Sequence, residues 1–253
     1  MEDTDVELVP PGDVGRTFSS TVSVRLGDAS PGGRMRLDSL ARVLQDVSDD
    51  DARDAGFGDL TWVVRRTVIR VDRSPVYLER LALTTWCAGF GAAWAERRIR
   101  AEGDGGALVE AATLWVHVDR TSMRPARVPS AFVDVFGPSA AGRRVTSRTV
   151  LDPPPVDGAQ VGGPVTTSRW PLRVSDFDVL GHVNNAAYWE PVEEVLSGRR
   201  DLRAPFTAVL EHADAIERGH DVSVVTRGSE RGLDLWLTSG EARLHAAVRV
   251  TAG

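Results

Sequence analysis

Residues 167–196, TSRWPLRVSDFDVLGHVNNAAYWEPVEEVL, pass from a strand-like run through a polar turn into a helical pattern. TSRWPLRV reads as a strand, SDFDVLGHV as a turn, and NNAAYWEPVEEVL as a helix over 184–197. Asp176, Asp178, Gly181, His182, Asn184 and Asn185 all fall in this turn and the start of the helix. Strand-like runs follow: FTAVLEHADAI, DVSVVTRG, LDLWLTSG and EARLHAAVRV.

The same order occurs earlier in the chain. TFSSTVSVRL alternates like a strand, GDASPGG turns, and LDSLARVLQDVSDDDARDAG spaces Leu37, Leu40, Ala41, Leu44 and Val47 on one apolar helical face. Four strand-like runs then follow, LTWVVRRTVIRV, ERLALTTWCAGF, AAWAERRIRA and ALVEAATLWVHVD. One strand, a loop, a helix and four strands, repeated about 145 residues apart, indicate a duplicated α+β unit. The expected organisation is a disordered tail over 1–15, a first unit over 16–133, a linker over 134–165 and a second unit over 166–253. The linker assignment rests on its Pro, Gly and Ser content, including LDPPPVDGAQVGGP. Two long helices, near 37–55 and 184–197, are each expected to be wrapped by an antiparallel sheet, the tandem (double) hotdog arrangement.

Bulk properties narrow the function. The chain has 253 residues, 42% hydrophobic and 26% charged, as ordinary globular proteins do. No apolar run reaches about 18 residues, so no membrane span is expected. The N-terminus MEDTDVELVPPGDVG lacks signal-peptide zones, and the expected location is cytoplasmic. Every one of the 30 basic residues is arginine, which excludes lysine Schiff-base and P-loop chemistry. The net charge of −6 argues against nucleic acid as the main partner. One thiol, Cys87, in an apolar run, excludes an intrachain disulfide and a cysteine-rich metal site, and reads as core. His117, His212, His220 and His245 lack metal-ligand spacing, and no G-x-S-x-G elbow occurs, so no metal and no cofactor are expected.

The motif D-x-x-G-H-V-N-N-x-x-Y, carried by Asp178, Gly181, His182, Val183, Asn184, Asn185 and Tyr188, resembles the signature of hotdog thioesterases. The first block, from MRLDSLARVLQDVSDDDARDAGF to ATLWVHVDRTSMRPARVP, resembles the N-terminal hotdog of acyl-[acyl carrier protein] thioesterases. That resemblance implies a fused double hotdog that hydrolyses the thioester of a fatty acyl chain on phosphopantetheine. Acyl carrier protein or coenzyme A thioesters are the implied substrates, and monomer and homodimer both stay open. Two departures stand out. Leu180 occupies the place of the family's asparagine, and Ala215 that of its glutamate, with Asp214 and Glu217 nearby. Smaller acyl-CoA thioesterases carry an apolar residue at the Leu180 position and rely on the aspartate matching Asp178. A hotdog enoyl-thioester hydratase and a non-catalytic acyl-thioester-binding protein are the competing readings.

Thioester hydrolysis needs a base or nucleophile, oxyanion donors and a slot for the acyl chain. Asp178, just before the helix, can activate water or attack the carbonyl, or merely cap the turn. His182 can donate to the carbonyl or hold water. Gly181 allows close backbone approach, and the free N–H groups of the helix start form an oxyanion site. Asn184 and Asn185 suit carbonyl binding as well as capping. Trp62, Val64, Leu44 and Tyr188 are expected to line the acyl pocket. The first loop holds Asp28 as the echo of the aspartate, without the His-Val-Asn-Asn that follows in the second.

Overall fold

The computed structural model describes residues 9–155, 163–240 and 242–253. Of the expected tail, residues 1–8 lie outside the described residues, as do 156–162 of the expected linker. The first half contains β1 (Thr17–Ser23), α1 (Leu37–Asp54), β2 (Thr61–Arg73), β3 (Arg80–Phe90), β4 (Trp94–Gly103) and β5 (Leu108–Val118), followed by α2 (Ser130–Ala140). The second contains β6 (Val165–Trp170), α3 (Glu190–Ser197), β7 (Phe206–His212), β8 (Val222–Ser229), β9 (Gly232–Ser239) and β10 (Arg243–Ala252).

Among the described residues ten strands form one antiparallel sheet in the order β1-β3-β4-β5-β2-β7-β10-β9-β8-β6. The order reads alike from either edge, each half contributing five strands in the same sequence of pairings. The halves meet where β2 pairs with β7, with Val68 opposite Val209. The observed class is α+β, a large antiparallel sheet with few helices.

The apolar stripe of α1, Leu37, Leu40, Ala41, Leu44 and Val47, is buried against Ile69, Leu81, Leu83, Ile99 and Val109 of the strands. The same core continues through Trp189, Val192 and Leu196 to Leu210, Leu235 and Val248. Burial of this contiguous apolar surface is the main force holding the helices to the sheet. α1 also touches α3, where Arg34 binds Glu193 with two hydrogen bonds, one of 3.1 Å, and the Leu37 N–H donates to Glu193 Oε2 at 3.2 Å.

Three element boundaries differ from the sequence reading, each for a local reason. The strand expected through Val174 stops at Trp170, because Pro171 has no N–H to donate to a ladder. The helix expected from Asn184 becomes α-helical only at Glu190, after a 3-10 turn over Ala187–Trp189. The expected linker begins inside α2, whose Phe132, Phe136 and Ala140 repeat every fourth residue and bury against Cys87, Phe90 and Ala95. Further along, Leu151 is buried with Val68, Val209 and Trp236, while the Val150 and Leu151 N–H groups donate to the buried Glu211 carboxylate. That stretch is tied to the outer face of the sheet.

Candidate active site

The two loops that lead into α1 and α3 have the same backbone hydrogen bonds. In the first, the Ser30 N–H donates to Arg34 O, Gly33 to Ser30 O, Met35 to Pro75 O and Arg36 to Asp28 O. In the second, Asp178 donates to His182 O, Gly181 to Asp178 O, Val183 to Ile216 O and Asn184 to Asp176 O. Gly33 and Gly181 turn both loops at φ of 84° and 81°, a left-handed conformation that glycine adopts without strain. Asp28 therefore corresponds to Asp176, and the residue corresponding to Asp178 is Ser30. This corrects the reading of Asp28 as the echo of the candidate catalytic aspartate.

The paired aspartates share a structural task. Asp28 Oδ2 accepts the Arg25 N–H at 2.9 Å, and Asp176 Oδ2 accepts the Arg173 N–H at 2.7 Å. Each closes a 3-10 turn. Asp178 has no such duty: its Oδ1 accepts the Leu180 N–H at 2.9 Å, and its second oxygen has no partner among the described residues.

Asp178, Asn184 and Asn185 line a cavity of about 660 Å³ that runs from this loop along α1, past Gln45, Ser48 and Ala52, to Phe57, Trp62 and Phe132. Asn184 Oδ1 accepts the Ala186 N–H at 2.9 Å and so holds the turn that leads into the 3-10 segment. The Asn185 side chain donates to Gln45 Oε1 at 3.3 Å, linking the loop to the helix of the other half. The Asn185 backbone N–H has no acceptor among the described residues; it lies in the turn before the 3-10 segment, at the place that Leu37, the first residue of α1, holds in the first half.

Other sequence candidates fall elsewhere. His182 lies on the loop outside the cavity lining, with Nε2 4.0 Å from Glu217 Oε1, and the two residues pair as an isolated bridge. Glu217, rather than the Ala215 position, faces the histidine. Gly181 shapes the turn. Leu44 is buried in the central core and Val64 in β2 beside Trp115, so neither lines the cavity. Tyr188 is buried, its hydroxyl accepting the Ile216 N–H at 3.0 Å, and burial pushes its pKa up to about 12. Gln45, which the sequence reading did not single out, is the α1 residue that bonds the loop of the other half.

Cys87 also lines the cavity, but burial pushes its thiol up to about 12, so it remains protonated at neutral pH. Cys87→Ser should leave turnover at this site within about twofold of wild type, and native protein should resist iodoacetamide at pH 8. Rapid alkylation with loss of activity would contradict this. Among the described residues no cluster of His, Cys, Asp and Glu is placed to hold a metal, and no helix is long and apolar enough to cross a membrane.

A carboxylate, two side-chain amides and an unoccupied backbone N–H at one end of the cavity are groups that an acyl-transfer or hydrolytic site uses. The comparisons give the class a family. The acyl-ACP thioesterase N-terminal domain model matches residues 15–136, and the C-terminal domain model residues 163–248. An uncharacterized protein of Mycobacterium tuberculosis is 30% identical over 224 residues, 88% of this chain and 87% of that protein. A chloroplastic acyl-[acyl-carrier-protein] hydrolase of Cuphea viscosissima is 26% identical over 207 residues, 73% of this chain, and the match spans 48% of the plant protein. The solved 12:0-ACP thioesterase from Umbellularia californica shares the fold, with a TM-score of 0.71 and 19% identity over 95% of this chain and 98% of that one. The chain belongs to the acyl-ACP thioesterase family, enzymes that hydrolyse fatty acyl thioesters.

Proposed function

We propose that the chain is a tandem hotdog whose second loop hydrolyses fatty acyl thioesters of acyl carrier protein, with coenzyme A thioesters as the secondary substrates. The acyl tail runs along α1 toward Trp62, Phe57 and Phe132. The thioester carbonyl lies beside the start of the helix, within reach of Asp178. The Asn185 N–H takes the developing oxyanion, and the unpartnered oxygen of Asp178 removes a proton from the attacking water, or attacks the carbonyl itself. Asn184 holds the loop through its bond to the Ala186 N–H, and His182, braced by Glu217, keeps the turn in register. The first unit supplies the lining and the second the chemistry, in a cytoplasmic enzyme.

One observation carries this reading. At the corresponding point of the first unit the Leu37 N–H is occupied by a carboxylate oxygen, Glu193 Oε2 at 3.2 Å, delivered from the opposite helix. In the second unit the residue delivered from the opposite helix is the neutral Gln45, which binds the Asn185 side chain instead. The first unit thus holds its own anion where the second leaves the same donor vacant. A backbone N–H that binds a carboxylate oxygen in one half is suited to an oxyanion at the corresponding place in the other.

Free-thiol release from acyl-ACP and acyl-CoA panels tests the assignment. Hydrolysis of both, with the higher kcat/KM on acyl-ACP, is the expected result; no release from any acyl thioester would reject it. Ala52→Phe, which narrows the cavity where α1 lines it, should lower the rate on long chains relative to short ones by about tenfold. Equal losses on every chain length would remove the tail from this cavity.

A further inference from the structure

A second groove of about 480 Å³ lies nearer the start of α1, lined by Thr21, Ser23, Arg25, Asp28, Arg42 and Arg80, with Val22 and Val43 at its base. Three elements converge there: the end of β1, the exposed face of α1 and the first residue of β3. Arg80 stands opposite Ser23 in the sheet. Asp28 is already engaged, by the Arg25 N–H and by the Arg42 guanidinium. Arg25 and Arg80 form no ion pair among the described residues. Other carboxylates lie near it: Asp104, which accepts the Arg80 backbone N–H at 3.1 Å, Asp46, coupled electrostatically to Arg42 one turn away, Asp38 one turn before Arg42, and Glu79 next to Arg80.

The duplicated fold supplies the comparison. The loop correspondence sets Arg25 against Arg173 and Asp28 against Asp176, and carried into the helices it sets Arg42 against Glu190. Leu78 and Gly219, both at positive φ just before the next strand, set Arg80 against Asp221. In the second unit each charge is neutralised, Arg173 by Asp176 and Glu190, and Asp221 by Arg169 at 2.8 Å. The first unit has arginine at both positions where the second has a carboxylate. With Arg42 paired to Asp28, Arg25 and Arg80 are left as two guanidinium groups of the groove without an ion pair among the described residues.

We propose that this groove binds a phosphate group. Guanidinium forks from Arg42 and Arg80, with Arg25 beside them, match phosphate oxygens, and the Thr21 and Ser23 hydroxyls add donors. None of its lining residues lines the acyl cavity, and the site does not depend on the hydrolysis proposed above.

Isothermal titration of the full chain at low salt, with inorganic phosphate and adenosine 3′,5′-bisphosphate as probes, tests it. Saturable binding is expected, weakened about tenfold or more by Arg80→Gln and by Arg42→Gln and unchanged by Arg169→Gln in the second unit. Tighter binding of the bisphosphate assigns the groove to a nucleotide-borne phosphate, and equal binding assigns it to free phosphate. Arg80→Gln removes a side chain with no ion pair, so its fold, checked by circular dichroism, should be intact. Absence of saturable binding by either probe, or binding indifferent to Arg80→Gln, would overturn the proposal.

Discussion

Asp178→Asn should lower kcat by about a hundred- to ten-thousand-fold, roughly 3 to 5 kcal/mol of barrier, while acyl-thioester binding persists. The asparagine side chain fits the same turn and can still accept the Leu180 N–H, so the loop keeps its shape while the proton acceptor is lost. Asp176→Asn is the control, two residues away. Asp176 is 2% exposed and bound to Arg173, so its replacement should cost stability, about 1 to 3 kcal/mol in denaturant unfolding, with kcat of the folded enzyme nearly unchanged. A lower melting temperature without loss of turnover in one variant, and loss of turnover without a lower melting temperature in the other, separate the two roles. Full activity in a folded Asp178→Asn variant would remove this aspartate from the mechanism and direct attention to Glu217, the carboxylate opposite His182.

How much of this was legible in the sequence follows from the range of the interactions. Repeated strand and helix periodicity is local, and α1 starts at Leu37 as its apolar spacing predicts. Asp178, Asn184 and Asn185 are carried by one loop, and the structure sets all three in the wall of one cavity. Residues 134–140 were not, because Gly137 and Pro138 read as breakers while the Phe132, Phe136, Ala140 repeat that drives the helix straddles the expected boundary. Leu44 and Gln45 are adjacent, yet Leu44 faces the sheet core and Gln45 the cavity, a division set by the crossing of two helices from opposite halves. The counterpart of Asp178 was misread for a similar reason. The first loop has an aspartate at the structural position and serine at the chemical one, and only the hydrogen-bond pattern tells them apart.

The vacancy of the Asn185 N–H leads to the second large effect. Gln45 and Glu193 sit at corresponding places on α1 and α3, each reaching the start of the opposite helix. They differ by one amide, and the carboxylate version occupies a backbone donor that the amide version leaves vacant. Gln45→Glu should therefore supply the second unit with the occupant that the first already has. The new carboxylate would compete for the Asn185 N–H, and kcat should fall about a hundred- to a thousandfold, the cost of losing an oxyanion donor. Gln45→Ala loses the bond to the Asn185 side chain but brings no anion, and should cost about tenfold or less. The pH–rate profile adds a signature that mere disorder of the loop would not produce. An added negative charge beside Asp46, Asp49 and Asp178 in the cavity wall opposes their ionisation, so the acid limb should move to higher pH. If Gln45→Glu and Gln45→Ala reduce turnover equally, with both variants folded, the donor is not an oxyanion site and the parallel with Glu193 carries no chemistry.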